Sequence, residues 1–112
     1  MKPTDAPDPS DFFKWYMEEI ARTAGSEDLG MYALGVAGEA GELVDAVKKF
    51  LYHGADGEMA RLKIKKEAGD VLWYLCGMMA HLGIDPVDVI KLNVAKLRDR
   101  YPNGFEKSKN RV

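Results

Sequence analysis

Apolar residues recur every three or four positions along four stretches of the chain, and no stretch shows the strict alternation of a half-buried strand. The spacing predicts an all-α fold. A first helix is expected over about 11–23, capped by Ser10 and stopped by Gly25, with Phe12, Trp15, Tyr16, Ile20 and Ala21 on its apolar face. A second is expected from Leu29 or Met31 to Tyr52, turning Leu34, Ala37, Ala40, Val44, Val47 and Leu51 inward. His53 to Gly57 reads as a loop whose two glycines can take left-handed backbone angles. The third helix is expected to start between Glu58 and Leu62 and to end at Leu82 before Gly83, with Ile64, Ala68, Val71, Leu72, Leu75, Met79 and Leu82 inward. The fourth has the clearest start: Asp85 as N-cap, Pro86 at the first helical position, and Asp88 at the positive end of the dipole. It is expected to reach about Arg100, where Pro102 and Gly104 break it.

A length of 112 residues fits a single domain. The first ten residues carry Pro3, Pro7 and Pro9 and almost nothing apolar, so 1–10 reads as a flexible tail, 11–106 as one helical domain, and 107–112 as a second flexible tail. A hydrophobic share of 46% with 30% charged residues excludes a disordered chain. Four amphipathic helices joined by short loops then make a four-helix bundle, with apolar positions left over for a subunit interface. A net charge of -2 gives no pull toward nucleic acid or an anionic membrane. Cys76 stands alone, so an internal disulfide, a CxxC redox motif and a structural zinc site are all excluded. With no apolar run of the roughly 20 residues that span a bilayer, and no signal-peptide layout, a cytoplasmic setting is expected.

The chemistry concentrates in two acidic pairs. Glu39 and Glu42 are three apart and so share one face of the second helix, their Cβ atoms about 5–6 Å apart. Neither has a lysine or arginine four residues away, whereas Asp45 has Lys48 and Lys49 at salt-bridge spacing. Glu67 and Asp70 repeat the spacing on the third helix, and antiparallel packing of the two helices lets the four carboxylates converge. Such a cluster suits a hard cation, Mg²⁺ or Mn²⁺, which keeps waters and also binds phosphates. Gly38, Gly41 and Gly69 sit beside these acids at a cost of roughly 1 kcal/mol each relative to alanine. Close helix approach or substrate access would offset that cost. The competing reading is that acidic pairs merely solvate a helix face, as is common in a chain this charged.

Glu39-x-x-Glu42 followed by Glu67-x-x-Asp70 resembles the ExxE…ExxD pattern of MazG-like nucleotide pyrophosphohydrolases, of the all-α NTP pyrophosphatase group. The segment Leu34-Gly-x-Ala-Gly-Glu-Ala-Gly-Glu and the segment Glu67-Ala-Gly-Asp-Val-Leu-Trp-Tyr resemble that family's two core segments, and Asn93-x-x-Lys96-Leu-x-x-Arg100-Tyr-Pro-x-Gly-Phe105 its closing one. The resemblance spans about Leu34 to Phe105. It implies a homodimer or homotetramer and Mg²⁺-dependent cleavage of a nucleoside triphosphate to monophosphate and pyrophosphate, with Glu39, Glu42, Glu67 and Asp70 as catalytic metal ligands. Lys66 departs from the pattern, since many relatives carry another acid directly before the second motif's glutamate.

Asn93, Lys96 and Arg100 form one helical stripe, suited either to sugar and phosphates or to a solvated C-terminal turn where cations are favoured. Trp73 could stack on a base or belong to the core, and Lys49 could reach a phosphate or pair with Asp45. His53 and His81 do not follow a glutamate by three, which removes the ExxH half of a di-iron bundle. Three rivals remain: a dUTP- or dCTP-selective diphosphohydrolase, a phosphoribosyl-ATP pyrophosphohydrolase, and a non-catalytic nucleotide-binding or interaction module.

Overall fold

The computed structural model describes Asp8 and residues 11–54 and 57–105. Its elements are α1 (Phe12–Thr23), α2 (Leu29–Tyr52), α3 (Gly57–His81) and α4 (Pro86–Arg100), with no strand among the described residues. The all-α expectation holds, and all four helices fall where the periodicity puts them. The expected tails, 1–10 and 107–112, lie almost wholly outside the described residues, as does Ser10.

The helix ends show how local chemistry sets the boundaries. Asp28 caps α2 by accepting from the Met31 N–H at 2.8 Å, and Asp85 caps α4 by accepting from the Val87 N–H at 2.9 Å, ahead of Pro86. Gly83 stops α3 with φ 68°, the left-handed angle that favours glycine. Gly25 does not stop α1 in this way. The C-cap is Ala24 in an extended conformation, and the Gly25 N–H donates to the Glu27 carboxylate at 2.6 Å.

α2 and α3 form an antiparallel hairpin with by far the largest interface, α1 lies on α3, and α4 has no interface of comparable extent. Two glycines let the hairpin close. A Cβ on Gly35 would stand 2.1 Å from the Tyr74 ring, and one on Gly77 would stand 2.4 Å from the Tyr32 ring. Nothing lies within 4 Å of a Cβ built on Gly38, Gly41 or Gly69, so the glycines beside the acids do not serve close helix approach. The core sits on the α1 side of α3: Ile20, Cys76 and Met79 are buried, with Tyr16, Met17, Trp73 and Leu75 packed around them.

The inward stripe expected on α2 is not buried. Leu34, Val44 and Leu51 are exposed, as are Leu72 on α3 and Leu82 just past its end, while Tyr32 and Ala46 are the buried residues of α2. The reason is that α2 and α3 carry apolar residues on more than one face, and a single chain covers only one. α4 repeats the situation with exposed Val89, Ile90, Leu92, Val94 and Leu97. The radius of gyration is 16.9 Å, against about 13 Å for a compact chain of this length, in keeping with a helix that stands apart from the others.

Candidate functional site

Glu39 from α2 meets Glu67 and Asp70 from α3. One carboxylate oxygen from each lies within 4.8 Å of the other two. The i, i+3 spacing puts Glu67 and Asp70 on one face of α3, and the antiparallel hairpin brings that face to Glu39. Glu67 is buried, an uncommon place for a carboxylate without a partner. Its partner is Lys63, whose Nζ donates to Glu67 Oε1 at 2.8 Å.

The electrostatics follow from crowding. Partial burial, then the negative charges of Asp70, Glu67 and Glu42, hold the Glu39 carboxyl above its usual range, and Lys63 acts weakly in the opposite direction. The bond to Glu67 holds the Lys63 ammonium above the ordinary lysine value, with Glu42 and Asp70 adding to it. Glu42 thus lies within electrostatic reach of both groups without joining the three-oxygen cluster. It lines a cavity of about 230 Å³ with Asp45, Ala46, Lys49, Met59, Ala60 and Lys63.

Lys63 is the site residue that the sequence reading missed. The signal was present, because Lys63 precedes Glu67 by four, the same spacing that pairs Asp45 with Lys49 at 3.0 Å. Lys48 also reaches Asp45, at 3.6 Å, so Asp45 is neutralised locally and its carboxyl is held below the usual range, chiefly by the bond to Lys49. Lys49 therefore lines the cavity while paired.

Trp73 is placed with α1. Its indole N–H donates to Thr23 Oγ1 at 2.8 Å, its ring stands edge-on to Tyr74, and its body packs on the Ile20, Cys76 and Met79 core. Tyr16 on α1 feels both Cys76 and Asp70, and burial above all raises its hydroxyl above the ordinary phenol value. Asn93, Lys96 and Arg100 lie on α4, and the charges that act on Glu39 come from α2 and α3.

An all-helical chain in which carboxylates from two antiparallel helices converge has the donor set that could hold a hard cation. Residues 29–105 match the model of the MazG nucleotide pyrophosphohydrolase domain, and the chain belongs to that family. It is also similar to the Gene 37 protein of Mycobacterium phage L5, 35% identical over 81 residues that cover 70% of each chain. No solved structure matches it. The family match begins at α2, so α1 lies outside it. No helix among the described residues is long and apolar enough to cross a membrane.

The donor set fits a divalent cation. Three oxygens of hard, anionic ligands stand close enough to share one ion, and the Glu39 carboxyl, held above its usual range by burial first and then by its acidic neighbours, is a group whose charge such an ion would stabilise.

Proposed function

We propose that the protein is a Mg²⁺-dependent nucleoside triphosphate pyrophosphohydrolase, with Mn²⁺ able to substitute, that converts a (d)NTP to the (d)NMP and pyrophosphate. The observation that carries this reading is the convergence of Glu39, Glu67 and Asp70 in a chain of the MazG family. Glu39, Glu42, Glu67 and Asp70 would hold the cation. Once bound, it neutralises phosphate charge and polarises the attacking water.

The chain's own groups do the rest. A carboxylate oxygen of the set not used in ligation accepts the proton of the water that attacks phosphorus, and pyrophosphate leaves as the phosphoanhydride bond breaks. Lys49, at the edge of the cavity beside the acids, contributes positive charge toward the phosphates. Asn93, Lys96 and Arg100 bind sugar and phosphate from the α4 of a second copy, in a homodimer or homotetramer whose interface covers the exposed apolar positions of α4. The biological role is removal of surplus or non-canonical nucleotides from the cytoplasmic pool.

The test is a panel of common and deoxy nucleoside triphosphates with Mg²⁺, following pyrophosphate release and identifying the nucleotide product by chromatography. Monophosphate with pyrophosphate is the expected outcome; diphosphate with orthophosphate rejects the reaction. Glu42→Gln is expected to lower Mg²⁺-dependent pyrophosphate release roughly a hundredfold or more, with the far-UV circular dichroism unchanged.

A further inference from the structure

Lys63 stands between the acidic cluster and the cavity beside it. Its Nζ is 2.8 Å from Glu67 Oε1, and its side chain also lines the 230 Å³ cavity together with Lys49 and Glu42. The two partners differ in freedom. The Glu67 side chain is 10% exposed and fixed, whereas that of Lys63 is 63% exposed, so the ammonium reaches inward on a solvent-facing stem that can turn.

That position sets two interactions against each other. A divalent cation ligated by Glu67 would come within a few ångströms of the ammonium, where like charges repel and where both compete for the same carboxylate. A polyphosphate in the adjoining cavity has the opposite effect, since it brings negative charge to a lysine that serves phosphate as a point charge.

We propose that Lys63 is a specificity-determining residue that disfavours a bare divalent cation and favours one accompanied by a polyphosphate anion, exchanging its Glu67 partner for phosphate in the cavity. This rests on the reading of the acidic cluster as the cation site. The chain then holds Mg²⁺ weakly until the nucleotide arrives, which couples metal occupancy to substrate.

Two binding measurements on the full chain decide it: Mn²⁺ titration followed by the electron paramagnetic resonance of the free ion, and calorimetric titration of inorganic pyrophosphate at saturating Mg²⁺. Lys63→Met is expected to bind Mn²⁺ about three- to tenfold more tightly and pyrophosphate about three- to tenfold more weakly than the parent. Lys66→Met removes the same charge one residue before Glu67 and is expected to move both by less than about twofold. Opposite signs are the signature, because simple loosening of Glu67 would weaken both. Mn²⁺ binding by Lys63→Met that is equal to or weaker than the parent's, or unchanged pyrophosphate binding, overturns the inference. A parent protein with no saturable Mn²⁺ site instead rejects the cation reading itself, and the inference with it.

Discussion

Glu39 shows what the site costs the fold. Its folded-state pKa is raised above the ordinary 4.5 by partial burial and by Asp70, Glu67 and Glu42, so the folded protein holds that proton more tightly than the unfolded chain does. Stability therefore falls as pH rises from about 4.5 through the raised folded value. Glu39→Gln is expected to be more stable than the parent toward urea at pH 7 in chelator, with the difference vanishing below pH 4.5. Saturating Mg²⁺ should reverse the order, because ligand binding stabilises the intact carboxylate set. Among the residues of this site, the i, i+3 spacing made Glu67 and Asp70 legible in the sequence, as it did Glu39 and Glu42. Spacing along one helix cannot show which acids meet across two. Three carboxylates converge, Glu42 stands beside them, and Lys63 joins from a spacing whose pairing was legible all along.

At the scale of elements, the helices were legible from period and punctuation, and their contacts were not. A glycine inside a helix tells of an omitted side chain without telling what fills the space. Gly35 and Gly77 face aromatic rings across the hairpin, while Gly38, Gly41 and Gly69 face open space. Gly35→Ala is expected to destabilise the protein by about 2–4 kcal/mol, since a Cβ 2.1 Å from Tyr74 forces the two helices apart. Gly38→Ala is expected to stabilise it by about 0.5–1 kcal/mol, through helix propensity alone. Denaturant midpoints at constant slope check both. The α1 attachment has a similar test. Trp73→Phe deletes the bond to Thr23 and is expected to cost about 1 kcal/mol. Adding Thr23→Val is expected to cost less than Thr23→Val alone, because the bond to Trp73 is already gone and only the hydroxyl's bonds to the Glu19 and Ile20 carbonyls remain to lose.

For the whole molecule, the governing observation is that the hairpin and α1 hold together while α4 makes no interface of comparable extent. Val87, Ile90, Val94 and Leu97 recur at the three-and-four spacing of a packing seam, and Ile90, Val94 and Leu97 are exposed. Apolar patches of this kind on a soluble chain mark interaction surfaces. Under the proposed subunit arrangement, Ile90→Glu is expected to lower the mass measured by multi-angle light scattering and to lower pyrophosphate release by at least about tenfold, since the α4 polar stripe would then no longer reach a neighbour's acids. A parent that is already monomeric rejects the subunit arrangement and leaves the hairpin site as it stands.

The sequence by itself determined the helical period, the Asp85 cap, the Gly83 stop and the two acidic pairs, because each depends on residues within about one turn of one another. Family-level chemistry was legible for the same reason: it resides in short motifs. Only the tertiary structure decided that Trp73 ties α1 to α3, that Gly35 and Gly77 face aromatic rings across the hairpin, and that Glu39 rather than Glu42 meets Glu67 and Asp70 beside a cavity. Those facts depend on which face of one helix meets which face of another, and helices apolar on more than one side leave that choice to packing.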